Sequence, residues 1–74
     1  MAKRKKKKKF YKIHQRVFDG KGYYIDSVVQ RSSLKAAVHY ANQESYTFYD
    51  DFVVKEYPGG KELGLSRDGR MMYF

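Results

Sequence analysis

The sequence contains no cysteine, no tryptophan and only one proline among its 74 residues. Without cysteine, neither a disulfide framework nor a thiolate metal site can form. No apolar run approaches the roughly 20 residues that a transmembrane helix requires, so we expect a soluble chain. The basic N-terminus continues into Phe10-Tyr11-Lys12-Ile13-His14 rather than into an apolar segment with a cleavage site. This pattern argues against a secretory signal and favours an intracellular protein.

Residues with catalytic chemistry are few, and their spacing matches no known constellation. At this length one small domain is the ceiling, which leaves little room for a shaped pocket and its supporting residues. His14 and His39 are the only histidines, and Asp50-Asp51 is the only acidic pair that could join them around a metal. The run Gly59-Gly60-Lys61 lacks the spacing of a phosphate loop. We therefore expect no enzymatic activity, no cofactor and no metal, and we expect both histidines to be solvated.

The net charge of +8 is concentrated at one end of the chain. Residues 3–9 are seven consecutive cations: Lys3, Arg4, Lys5, Lys6, Lys7, Lys8 and Lys9. The remaining nine basic residues are opposed by eight acidic ones, so residues 10–74 carry only +1, with an excess of basic residues before position 41 and of acidic residues after it. A like-charge block repels itself, so residues 1–9 are predicted to be a disordered electrostatic arm. Seven contacts to duplex phosphates would give a log–log salt slope of about −6.

The hydrophobic pattern predicts a single α+β domain over residues 10–74, with one helix packed on a small antiparallel sheet in the order ββαββ and one further strand at the end. Residues 10–18 alternate polar and apolar side chains, and Asp19-Gly20 predicts a hairpin to a return strand over 23–30. Ser33 precedes a helix over about 34–44. Residues 46–49 are predicted as a short strand, followed by strands over 52–57, 61–66 and 71–74.

Aromatic residues make up 18% of the chain, more than one small core is expected to hide. Exposed tyrosines can stack on bases or anchor a protein interface. The segment Glu62-Leu63-Gly64-Leu65-Ser66 resembles a Gln-Leu-x-Leu-Phe peptide with which bacterial replication proteins dock on the sliding clamp, although Glu replaces the Gln and Ser the Phe. The candidate partner-binding residues are Tyr40, Tyr46, Tyr49, Tyr57, Leu63, Leu65, Tyr73 and Phe74.

In size and composition the whole chain resembles the small early proteins with which phages disable host machinery, some of which act on the sliding clamp. That resemblance implies a bacterial cytoplasmic location (nuclear, if the host is eukaryotic) and an inhibitor that docks on a host replication or transcription protein and blocks its work on DNA. Two alternatives stay open: a nucleic-acid-binding protein that grips phosphates with its arm, and a minor structural protein that contacts nucleic acid. No membrane partner is expected. A homodimer is a further expectation, because a small sheet leaves backbone groups unpaired at its edges.

Overall fold

A computed structural model describes residues 8–18, 20 and 22–74, and it shows the predicted α+β fold. One helix packs on a five-stranded antiparallel sheet whose strand order is β2-β1-β3-β4-β5. The elements, in chain order, are β1 (Phe10–Phe18), β2 (Tyr23–Arg31), α1 (Leu34–Phe48), β3 (Asp51–Tyr57), β4 (Lys61–Arg67) and β5 (Arg70–Tyr73).

The first strand lies inside the sheet, between β2 and β3. Its alternating pattern places Tyr11 and Ile13 on the face that α1 covers, where they pack with Phe52 and Val54 of β3. Ile13 and Val54 are each only 1% exposed. The chain passes from β2 through α1 to β3, and therefore crosses the sheet face over β1.

The helix begins where the sequence predicts. The Oγ of Ser33 accepts a hydrogen bond from the backbone N–H of Ala36 at 3.1 Å, so a free donor of the first turn is satisfied. Ala37, Ala41 and Ser45 are the buried residues of α1 and recur every four positions, which places them on one side of the helix. Their small side chains let α1 lie close to the sheet.

The helix ends later than predicted, and the prediction of a strand over residues 46–49 is wrong. Tyr46, Thr47 and Phe48 are helical, and Tyr49 ends α1 in a left-handed conformation with φ 61°. Aromatic and β-branched residues favour strands on average. Here the buried position of Ser45 continues the helical repeat for another turn, and packing overrides that local preference.

The connections between strands follow the predicted turns. Pro58, Gly59 and Gly60 join β3 to β4, and both glycines adopt positive φ. Asp68 and Gly69 join β4 to β5, again with positive φ. The predicted β1–β2 turn falls partly on residues 19 and 21, which lie outside the described residues, as does the predicted disorder of residues 1–7. Within the described part of the chain, no helix is long and apolar enough to cross a membrane.

Candidate functional site

The sheet face opposite α1 carries most of the polar side chains of strands β1, β3 and β4. Side chains alternate between the two faces along each strand. Since Ile13 and Val54 point toward α1, their chain neighbours point away from it, and the strand register carries the assignment across the sheet. We call this surface the outer face; on β1, β3 and β4 it comprises Phe10, Lys12, His14, Arg16, Asp51, Val53, Lys55, Tyr57, Glu62, Leu65 and Arg67.

An aromatic pair lies at the end of the outer face from which the basic arm extends. Phe10 and Tyr57 are cross-strand partners, and their rings stack with centroids 5.3 Å apart and planes 9° from parallel. The Nζ of Lys12 lies 5.0 Å from the centre of the Tyr57 ring, within reach of a cation–π interaction. Lys9, the last residue of the arm, is exposed and lies with its Nζ 3.4 Å from Glu56. Aromatic rings and cations therefore alternate where the arm meets the sheet.

Two ion pairs fix the arginines of the outer face. The Nη2 of Arg16 contacts Glu62 at 2.8 Å, reaching across β3 from β1 to β4. Arg67 donates two hydrogen bonds to the carboxylate of Asp51, at 2.8 and 2.7 Å. Among the described residues no carboxylate forms an ion pair with Lys12 or Lys55.

His14 lies among these cations and is buried, not solvated as the sequence suggested. It is 8% exposed, and neither ring nitrogen has a hydrogen-bond partner among the described residues. Burial lowers the pKa of His14 below 6.5, and the positive charges of Lys55, Arg16 and Lys12 lower it further, while Glu62 acts in the opposite direction. Burial and the surrounding cations therefore both disfavour the protonated imidazole. No pattern in the sequence distinguished this residue from its polar neighbours.

Exposed apolar side chains also occur in two other places, the end of α1 and the C-terminal part of the chain from Met72 to Phe74. Tyr46 is 69% exposed, Tyr49 82%, Tyr73 63% and Phe74 71%. Phe48 and Met72 are exposed as well. The prediction that several aromatics remain outside the core is confirmed for these residues.

The other predicted partner-binding residues have structural contacts. Tyr40 is half-buried against the core, and the guanidinium of Arg31 lies 4.8 Å from its ring centre. Burial raises the pKa of the Tyr40 hydroxyl, as does Glu44. Leu63 packs against the core, whereas Leu65 is half-buried on the outer face.

Their strand, β4, is hydrogen-bonded to β3 on one side and to β5 on the other. Residues 62–66 are therefore a paired strand of the sheet and not a free extended segment, and the contact of Leu63 with the core helps to hold them there.

The histidines and carboxylates do not assemble into a metal centre in the part of the chain that the structure describes: no three of them are grouped closely enough to hold an ion. His39 is exposed on α1, on a different element from His14 and Asp50.

Comparison with known proteins gives no relative for this chain. No protein-family model matches it, and neither a curated protein nor a solved structure matches it.

Proposed function

We propose that this protein binds nucleic acid, preferentially single-stranded, through its lysine arm and the outer face of its sheet. The observation that carries the proposal is the stacked Phe10–Tyr57 pair with Lys12 above it, at the point where the arm joins β1. Phosphate attraction along a basic surface supplies sequence-independent affinity, and aromatic rings on a sheet supply stacking for unpaired bases. A duplex presents its phosphates but keeps its base faces stacked inside.

The charges of the outer face support the same function. Lys12 and Lys55 are cross-strand partners on β1 and β3, so their two charges lie side by side on the sheet. Arg16 and Arg67 are held by Glu62 and Asp51, which fixes their position but reduces their net charge. The two lysines therefore continue the positive charge of the arm onto the folded domain.

The test uses a fluorescently labelled thymidine strand of about 16 nucleotides, the upper end of the usual site size for one small domain. The double variant Lys12→Gln/Lys55→Gln is compared with Lys35→Gln/Lys61→Gln, which removes the same charge from exposed positions away from the outer face. Each phosphate contact to a single strand contributes about 0.7 to the log–log salt slope, so the first variant is expected to reduce the slope by about 1.4. The second is expected to leave the slope unchanged. Equal effects from both variants would contradict a site on the outer face.

Deletion of residues 2–9 tests the arm. Loss of seven phosphate contacts is expected to reduce the single-strand salt slope by about 5 and to abolish measurable binding at physiological salt. Thermal unfolding of the deleted chain checks that the domain still folds. Tight binding of the strand by a folded, arm-less chain would contradict the role of the arm, and the absence of binding by the full chain would contradict the proposal as a whole.

A second candidate function is docking on a host replication or transcription protein, as in a phage-type inhibitor with the sliding clamp as one candidate partner. The exposed Tyr73 and Phe74 favour it, because aromatic residues anchor protein interfaces. A pull-down from nuclease-treated bacterial lysate compares the full chain with Tyr73→Ser/Phe74→Ser. A specific protein captured only by the full chain, and still captured after deletion of residues 2–9, would favour docking. If no protein stays bound after nuclease treatment, docking is excluded as the main function.

A further inference from the structure

The contacts of the buried His14 imidazole do not explain why a histidine stands at this position. It lies outside the cluster of buried residues beneath α1, and both of its ring nitrogens lack a hydrogen-bond partner among the described residues. A buried polar group left without a partner is unfavourable compared with a paired one, because it gives up its hydrogen bonds to water and gains none in return. Such groups are few in folded proteins, and each calls for an explanation.

The surroundings of His14 are those of an anion site. On its own strand Lys12 and Arg16 stand on either side of it on the same face, and its cross-strand neighbourhood on β3 includes Lys55. The acidic groups of this face are Glu62 of β4, which is paired with Arg16 at 2.8 Å, and Asp51 of β3, which is paired with Arg67. On β2 the residue opposite His14 is the apolar Val28. Cations therefore outnumber anions around the ring, and a proton on the imidazole would add one more positive charge.

A phosphate reverses that balance. Placed between the side chains of Lys12 and Lys55, its negative charge would offset two of the three cations that lower the pKa of the ring. A nearby opposite charge favours the charged form of a titratable group. The coupling acts through the electrostatic field, so it needs no direct hydrogen bond between the phosphate and the shielded ring nitrogens.

We infer that the outer face carries a phosphate subsite between Lys12 and Lys55, and that a phosphate bound there is accompanied by uptake of one proton from solvent on His14. The inference deepens the proposed function and rests on it. Its consequence is that the domain holds nucleic acid more tightly at mildly acidic pH than at neutral pH. The bound phosphate and the proton stabilise each other, so either one increases the affinity for the other by the same factor.

The first experiment follows the ring protons of His14 by NMR as a function of pH, with and without a thymidine strand of about 16 nucleotides. Thymine and backbone phosphodiesters do not titrate between pH 5 and 8, and the exposed His39 is an internal control. We expect the pKa of His14 to rise when the strand is bound, whereas the ring signals of the control residue should not respond to the strand. An unchanged pKa of His14 in the presence of saturating strand would overturn the inference and leave the proposed function intact.

The second experiment measures the dissociation constant of the same strand at pH 5.5 and pH 7.5, at one salt concentration, for the unaltered chain, His14→Gln and His39→Gln. For every pH unit by which binding raises the pKa of His14, the protonated chain binds about tenfold more tightly. The extra affinity at low pH should be lost in His14→Gln and retained in His39→Gln. Retention in His14→Gln would overturn the inference; failure of all three chains to bind at either pH would overturn the proposed function as well.

Discussion

The buried hydroxyl of Ser45 links α1 to the β4–β5 turn, and its removal tests this part of the packing. Ser45 is fully buried. Its Oγ donates to the backbone oxygen of Asn42 at 3.0 Å and accepts from the backbone N–H of Gly69 at 2.9 Å. The Oδ1 of Asn42 in turn accepts from the buried Ser66 Oγ at 2.5 Å. Helix and hairpin are thereby joined by polar contacts within an otherwise apolar layer.

The Ser45→Ala substitution removes one oxygen and leaves no cavity larger than that atom. Its main effect is that the N–H of the half-buried Gly69 loses its acceptor, the fully buried Ser45 hydroxyl. The cost of leaving a shielded donor unpaired is about 1–3 kcal/mol in the free energy of unfolding, and we expect a value at the lower end because Gly69 is only partly buried. In a domain of this size each kcal/mol corresponds to about 4–8 °C in melting temperature.

The assay is thermal and urea unfolding of Ser45→Ala beside Thr47→Ala. Thr47 is on the same helix, is exposed, and its hydroxyl donates to the backbone oxygen of Gln43 at 3.0 Å. The control also removes a side-chain hydrogen bond, but water can replace it, so a change within about 0.5 kcal/mol is expected. Equal stability of Ser45→Ala and the unaltered chain, or an equal loss in Thr47→Ala, would refute the reasoning.

Two further predictions concern the packing of β5 and the loss of stability at acidic pH. A Cβ on Gly64 would lie 2.7 Å from the backbone oxygen of Met72 and 3.2 Å from the Cα of Tyr73, so Gly64→Ala should displace β5 and lower the free energy of unfolding by about 1–3 kcal/mol; an unchanged urea midpoint would contradict this. The pKa of His14 is lowered in the folded state, so the unfolded chain binds a proton at this residue more readily than the folded chain does. The contribution of the neutral His14 to the free energy of unfolding is therefore fully present above pH 6.5 and is lost as the pH falls from 6.5 toward the pKa of the folded state. The slope is at most about 1.4 kcal/mol per pH unit, and urea unfolding of His14→Gln should lack this component.

Most of the fold could be predicted from local patterns. Residues 10–18 alternate, Ser33 caps a helix, and the glycines after Pro58 demand a turn. Each of these depends on the physical preferences of a few adjacent residues. The strand order, with β1 between β2 and β3, is a matter of long-range pairing that neighbouring residues do not specify. The error at residues 46–49 arose in the same way, because the buried position of Ser45 is fixed by contacts with Asn42 and Gly69 that the strand-like composition of the segment does not show.

The candidate site was only partly visible in the sequence. The arm is a contiguous run and needs no structure to be found. Tyr57 stood among the predicted binding residues, but its partner Phe10 did not, since residues 47 positions apart meet only through the β1–β3 pairing. His14 follows the polar half of the strand alternation, and that pattern predicts a solvated side chain. Its burial depends on neighbours that other strands bring to the outer face.

Residues 10–74 are nearly neutral in total, but a net charge does not show how the charges are distributed over the surface. On β1, β3 and β4 the outer face holds four basic side chains, Lys12, Arg16, Lys55 and Arg67, against two acidic ones, Asp51 and Glu62, and Arg70 of β5 adds a fifth basic one as the cross-strand partner of Arg67. The other described charged side chains of residues 10–74 are three basic ones, Arg31, Lys35 and Lys61, against four acidic ones, Glu44, Asp50, Glu56 and Asp68. The positive excess of the described domain therefore lies on one surface, continuous with the arm through Lys9 and Phe10. A strand of nucleic acid senses the charge within about one Debye length, roughly 8 Å at physiological salt, so this surface acts as a basic one whatever the average over the chain.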